Sequence, residues 1–223
     1  RPLPASPAGR QDPRHAGRAF PWRLILGVGV GWMEEEFEAL GAPPFAERGA
    51  ATNEYLLAFK ELWTSDSPSF AGKYCQFSDV QFLPKPVQKP HPPIWVGGQS
   101  RAAIRRAAEL GNGWHPVGAI PAVPLEPEEL AENVATLHRF AERAGRDPAK
   151  LDVAMKTPLY DPGTGSGGPR RRFSGTTEQV LQDIQTYSDV GVSHIIFDIR
   201  GADLGQALER LDWFAGDIMA QAS

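Results

Sequence analysis

From Arg23 onward, short apolar runs alternate with helical stretches that end in glycine, and this alternation narrows the possible folds more than any other feature. "RLILGVG" is a continuous apolar run, the pattern of a strand buried on both faces. A helical stretch follows from Glu34, and a second from Ala46 to Trp63 places Leu56, Phe59 and Leu62-Trp63 on one face. Residues 64–92 carry short alternations ("KYCQFSDVQFLP") and several prolines, the mark of an inserted hairpin and a loop. "PIWVGG" then reads as a strand, and Ser100 to Leu110 as a helix with Ser100 at the N-cap and Gly111 at C′. "GWHPV" is a short strand. Pro127 to Ala144 is a helix with Pro at N1, a stripe of Leu130, Val134, Leu137 and Ala141, and Gly145 as its stop. "LDVAMKTPLY" is the next strand. A helix then opens at Thr176 with Gln179 completing a capping box, turns Val180, Ile184 and Tyr187 inward, and stops at Gly191. "SHIIFDI" is a last buried strand, and Leu204, Leu208, Leu211, Ala215 and Ile218 mark a closing helix.

Five βα units in series demand a parallel sheet with right-handed crossovers. A doubly wound sheet and a (β/α)8 barrel both satisfy that demand. The barrel needs eight strands and about 250 residues, so five units leave it three strands short. The 223 residues suit one large domain or two small ones. The expected division is a poorly ordered tail over residues 1–22, rich in Pro and Arg and without periodicity, followed by one α/β domain over residues 23–223.

Bulk properties remove several function classes. A formal net charge of −4 lacks the clustered Lys and Arg that nucleic-acid binding requires, and the run Arg170-Arg171-Arg172 is too short to supply it. The longest apolar run, Leu24 to Met33, falls well short of the ~20 residues of a membrane helix. Cys75 is the single cysteine, which rules out an intramolecular disulfide and fits a cytoplasmic protein. Arg1 to Arg18 has no apolar signal-peptide core, and a start at Arg1 rather than Met leads us to expect a missing upstream part.

In either sheet, ligands bind at the carboxyl ends of the strands. Those ends hold Gly27 to Trp32, Gly97 to Ser100, Trp114 to Pro116, Lys156-Thr157 and Asp198 to Arg200. Gly97-Gly98 before Gln99-Ser100 admits two explanations. One is a tight βα turn that needs positive φ. The other is close approach of an anion to the free N–H groups of the following helix. "GVGVG" (27–31) fails the dinucleotide fingerprint, because its third glycine is misplaced. "GTGSGG" (163–168) matches it but leads into "PRRRF" rather than a helix, and reads as a loop. The five histidines lack metal-ligand spacing, so no metal site is expected. His115 alone sits at a strand end, where lining the mouth and proton transfer are both open roles. Trp114 either covers a ring-shaped ligand or caps the core. Glu34-Glu35-Glu36 suits a helix N-terminus.

"RLILGVGVGWMEEEFEALGAPPFAERG", "LPKPVQKPHPPIWVGGQSRAAIRRAAELGNGWHP" and "AGRDPAKLDV" resemble the luciferase-like monooxygenase superfamily, and within it the coenzyme F420-dependent (deazaflavin) oxidoreductases. The resemblance covers about residues 23–219. It implies a luciferase-like (β/α)8 barrel, incomplete here at five units, since members begin with three βα units before the "RLILGVG" strand. It also implies a deazaflavin or FMN at the C-terminal mouth, with its phosphate on the turn Gly97, Gly98, Gln99 and Ser100. Trp114 is named with these as a cofactor-binding residue, and Arg48 of "FAERG" matches an arginine that approaches the same phosphate. The implied activity is hydride transfer between a reduced deazaflavin and a small organic substrate. FMN-dependent monooxygenation and a non-catalytic cofactor-binding or assembly remnant are the alternatives. Catalytic residues stay unassigned. The two open sheet edges lead us to expect a homodimer or other oligomer.

Overall fold

The computed structural model describes residues 24–159, 170–199 and 201–221. The tail over residues 1–22, the "GTGSGG" loop and Arg200 lie outside the described residues. Two compact units emerge: residues up to Leu26 with Val30–Ile94, and Gly27–Gly29 with Trp95–Ser223.

The first unit holds helix α1 (Glu34–Leu40), a 3-10 turn Phe45–Glu47, helix α2 (Arg48–Thr64) and the antiparallel hairpin β2 (Phe70–Ala71) and β3 (Gln76–Phe77). The hairpin was expected from its alternation. Its anchor was not. The Glu54 carboxylate accepts the backbone N–H groups of Lys73 (2.9 Å), Tyr74 (2.6 Å) and Cys75 (2.7 Å). Gly72 makes room for this clamp, since a Cβ there would lie 2.2 Å from Glu54 Oε1.

The second unit is built on a five-stranded sheet in the order β1 (Leu26–Val28), β4 (Ile94–Gly97), β5 (Gly113–His115), β6 (Asp152–Pro158) and β7 (His194–Asp198). Strands β4 to β7 pair in parallel, as the βα alternation requires. The crossovers are helices α3 (Arg101–Leu110), α4 (Pro127–Arg143) and α5 (Thr177–Asp189), and α6 (Leu204–Trp213) follows β7. Ser100 Oγ caps α3 by accepting the Ala103 N–H, and Thr176 and Gln179 form the full capping box of α5. Gly145 stops α4 with φ of +68°.

Register fixes which side chains share a face. Trp95 lies opposite Gly113, Gly113 opposite Asp152, Ala154 opposite His194 and Lys156 opposite Ile196. One face therefore carries Trp95, His115, Asp152, Lys156, His194 and Asp198. The other carries Ile94, Val96, Trp114, Val153 and Met155, all buried. Phe197, also on that face, packs with Leu159, Val180 and Ile218 beneath α5 and the chain's last helical turn.

Three expectations change. The outer strands are not buried on both faces: Ile25 is 43% and Ile196 39% exposed. A continuous apolar run is buried twice only where both sides are covered, as at β4, where Ile94, Trp95 and Val96 are all buried, and not at the edges. Gly111 ends α3 in extended geometry (φ −90°, ψ 175°) rather than in the left-handed region. Glycine is needed there because a Cβ would meet Ala107 O at 2.9 Å and Val96 Cγ2 at 3.1 Å. Finally, the closing helix splits at Trp213 into α6 and a π-helical turn, Phe214–Met219. Leu204, Leu208 and Leu211 are 74%, 51% and 48% exposed, while Ile218 is buried.

The Arg170–Arg172 run has a structural use. Asp183 on α5 is fully buried and accepts two bonds from Arg170 (2.7 and 2.8 Å), one from Arg172 (3.2 Å) and the Phe173 N–H (2.7 Å). Burial pushes the Asp183 carboxyl up, and the Arg170, Phe173 and Arg172 interactions outweigh it, leaving the group below the ordinary range. A depressed native pKa adds stability that is present above the unfolded value of about 3.9 and is lost as pH falls through the native one. Asp183→Ala is expected to cost about 3 kcal/mol, the low end for breaking a buried pair because both arginines reach solvent. Chemical denaturation at pH 7 and between pH 5 and 2 checks both points: the variant starts lower and loses less on acidification.

Candidate functional site

Parallel pairing gathers the carboxyl ends of β4, β5, β6 and β7 along one edge of the second unit. The glycine turn sits there, between β4 and α3. Gly98 has φ of +100° and is exposed, so the turn does require a glycine conformation. Gly97 does not: a Cβ on it would meet only Val28 O at 3.5 Å and His115 O at 3.7 Å. Two side chains hold the turn in place. The indole of buried Trp114 donates from Nε1 to the Gly98 carbonyl at 2.7 Å, and the Gln99 amide donates to the Val117 carbonyl. Ser100 caps the helix through the Ala103 N–H, and the N–H groups of Arg101 and Ala102 have no acceptor among the described residues. A fixed, exposed turn with free N–H donors at a ten-residue helix start is electrostatically suited to an anionic oxygen group.

Of the sequence-nominated residues, Gly97, Gly98, Gln99, Ser100 and Trp114 come together in one place. Trp114 lies under the turn rather than over a ligand-facing surface. Arg48 belongs to the first unit, where its guanidinium donates from Nη1 to the Phe45 carbonyl (2.9 Å) and lies 3.9 Å from the centre of the Phe45 ring. Its Nε is buried with no hydrogen-bond partner.

Further along the edge, His115 is half-buried and its Nδ1 lies 2.5 Å from the Ala154 carbonyl. A carbonyl only accepts, so Nδ1 carries the proton. Lys156 Nζ and Asp198 Oδ2 stand 3.8 Å apart, both partly solvated. Lower on the same face, Trp95 Nε1 donates to Asp152 Oδ2 (3.1 Å), with the His115 ring 6.2 Å and the His194 ring 5.1 Å from the Trp95 ring. Periodicity alone could have exposed this polar face, through the alternation of "DVAMK". A cleft of about 260 Å³ between α5, β7 and the π-helical turn opens at the other, amino end of β7, lined by Ser193, His194, Phe214 and Met219 among others. Among the described residues no cluster of His, Cys, Asp and Glu is arranged to hold a metal ion.

The fold and the turn define a βα-barrel-type α/β protein with an exposed glycine turn at the strand carboxyl ends. The chain belongs to the luciferase-like monooxygenase family, whose model matches residues 18–160. It is 40% identical over 95 residues to an FMNH(2)-dependent dimethylsulfone monooxygenase of Pseudomonas putida, covering 42% of this chain and 26% of that protein. It is 36% identical over 193 residues to an uncharacterized protein of Mycobacterium tuberculosis, covering 85% and 58%. An F420-dependent glucose-6-phosphate dehydrogenase of Segniliparus rotundus is 24% identical over 235 residues, covering 86% and 68%. In fold it is similar to the monooxygenase RslO1 of Streptomyces bottropensis (TM-score 0.73, 20% identity, 90% of this chain and 69% of that one). It is also similar to an F420-dependent secondary alcohol dehydrogenase (TM-score 0.72, 19% identity, 95% and 76%). The chain spans 26% to 58% of the length of the first-ranked curated relatives. The relatives include FMN- and F420-dependent oxidoreductases, and the described residues of this chain form a five-stranded part of a luciferase-like barrel sheet.

Trp114→Phe deletes the donor to Gly98 and leaves a void where the larger, fully buried indole packed. We expect a stability loss of about 2 kcal/mol, the hydrogen bond and the void together, and a looser turn. Thermal unfolding, together with amide exchange at Gly98 to Ser100, measures it.

Proposed function

We propose that the chain binds the phosphate of a deazaflavin cofactor of the F420 type on Gly97, Gly98, Gln99 and Ser100 and takes part in hydride transfer with a small organic substrate. The observation that carries this reading is the tethered glycine turn with open N–H groups, in a family with F420-dependent members. The cofactor supplies the hydride chemistry. The chain's part is to hold the phosphate on backbone donors and to fix the turn through Trp114 and Gln99. It also presents the face bearing His115 and Lys156 beside the reacting atoms. FMN with monooxygenation is the second reading, favoured by the 40% identity to the FMNH(2)-dependent enzyme. A cofactor-binding remnant without turnover is the third.

Fluorescence titration with F420 and with FMN separates the cofactors, and single-turnover absorbance separates an enzyme from a binding remnant. Gly97→Ala is the more discriminating variant than any change at Gly98, whose positive φ would strain the fold in its own right. Ala at 97 meets only ordinary contacts, so stability should hold or rise by about 0.4–1 kcal/mol through the unfolded state. Cofactor affinity should fall, because the methyl group stands where the ligand approaches. Unchanged affinity would remove the phosphate from this turn.

The same reading includes self-association and a cytoplasmic location. No described helix is long and apolar enough to cross a membrane. The exposed Leu204, Leu208 and Leu211 stripe favours burial against another surface. Light scattering is expected to give a mass above 24.3 kDa, or else binding of a hydrophobic dye by the monomer. A monodisperse monomer that binds no dye argues against it.

A further inference from the structure

We propose that the cleft at the amino end of β7 binds a small neutral ring compound carrying one hydrogen-bonding group, of the phenol or indole type. The proposal is independent of the cofactor reading, because the glycine turn lies at the opposite, carboxyl edge of the sheet. A gap in the helix layer is the first observation behind it. Met155 and Thr157 on β6 are fully buried. Their register partners on β7, Ile195 and Phe197, share that side of the sheet but are only half-buried. Apolar side chains on the helix-packed side are thus left open where the closing helix widens into its π-helical turn. Such widened turns are frequent at functional sites.

Size and wall chemistry set the ligand's body. The cleft holds about 260 Å³. A dry apolar cavity of about 150 Å³ accommodates benzene, and drug-sized ligands take roughly 300–1,000 Å³, so one substituted or fused ring fits. Phe197 and Phe214, with ring centres 4.8 Å apart and planes at 59°, form an aromatic wall, and Ile184 and Ile218 extend the apolar lining. A ligand ring can meet these two edge-to-face or offset-stacked. The rim sets the ligand's polarity. Among the described residues that line the cleft there is no Asp, Glu, Lys or Arg; the polar ones are Ser188, Ser193 and His194. A charged ligand would lose hydration there and gain no counter-charge, whereas a neutral ring with one hydroxyl or N–H gives up little. Ser193 Oγ is already engaged, accepting the Val153 N–H at 3.0 Å and meeting His194 Nδ1 at 3.0 Å. Nε2 of His194 has no partner among the described residues and is the atom left for the ligand's polar group.

The experiment titrates the purified chain, carrying 13C-labelled Ile and Met methyl groups, with phenol and with indole. Benzoate and benzylammonium serve as charged rings of similar size. Phenol and indole should give saturable shifts at the methyls of Ile184, Ile218 and Met219, with a dissociation constant below about 1 mM. The charged probes should bind at least about tenfold more weakly. Ser188 is exposed on the last turn of α5, so Ser188→Trp obstructs the mouth from the surface without touching the core. It should abolish the shifts and leave thermal unfolding unchanged. His194→Phe keeps a ring and removes Nε2, so phenol should bind about five- to tenfold more weakly while toluene binds as before. Absent or non-saturating shifts with both phenol and indole overturn the site. Equal binding of benzoate or benzylammonium overturns the neutral class, and undiminished binding by Ser188→Trp puts the ligand elsewhere. A His194→Phe variant that holds phenol as tightly as the parent overturns the role of Nε2.

Discussion

Parallel strand pairing is the constraint from which the rest follows. A strand that must run the same way as its neighbour forces the chain to return through a helix, so every functional side chain at a strand's carboxyl end is placed by a crossover. Strands β4 and β5 align Gly97 with His115, and β6 and β7 align Pro158 with Asp198. Residues far apart in sequence thereby meet along one edge. The helices cover only one side of this sheet, where Trp114, Met155 and Val96 are buried. The polar side chains collect on the other.

Two buried polar groups hold the pieces that the apolar core does not specify. The Trp114 N–H fixes the Gly98 carbonyl from below, so a turn exposed to solvent has a rigid foundation. Asp183 draws Arg170, Arg172 and the Phe173 N–H onto α5, holding residues 170–173 against that helix. Both are interactions in which a group that would be costly to leave unpaired is fully engaged.

The order of strands and helices, the caps at Ser100 and Thr176 and the assembly of residues 97–100 were legible because they are local: period, capping chemistry and glycine placement act within a few residues. What stayed hidden is non-local. Nothing near Trp114 in sequence says that its N–H meets Gly98, or that the arginine run serves Asp183. A glycine at C′ commonly takes the left-handed conformation, and the sequence places Gly111 at that position. Here the nearness of Val96, fifteen residues earlier, decides instead. Edge exposure at Ile25 and Ile196 also depends on what lies beside a strand, which an apolar run does not state. Arg48 falls in the other compact unit, so its role rests on resemblance and its local bonds to Phe45.

The π-helical turn at Phe214–Met219 changes how the last helix is to be understood. A regular helix keeps one stripe in phase along its length, at 3.6 residues per turn. Widening the spiral over six residues shifts the phase, so the leucines before the turn are exposed while Ile218 within it is buried. One helix therefore serves two clients, closing the core with its end and offering leucines outward with its beginning. Loss of a single residue in that turn would bring the two stripes back into step. The outward leucines would then compete for the core, and a one-residue indel would trade a surface for an interior without altering any side chain's chemistry.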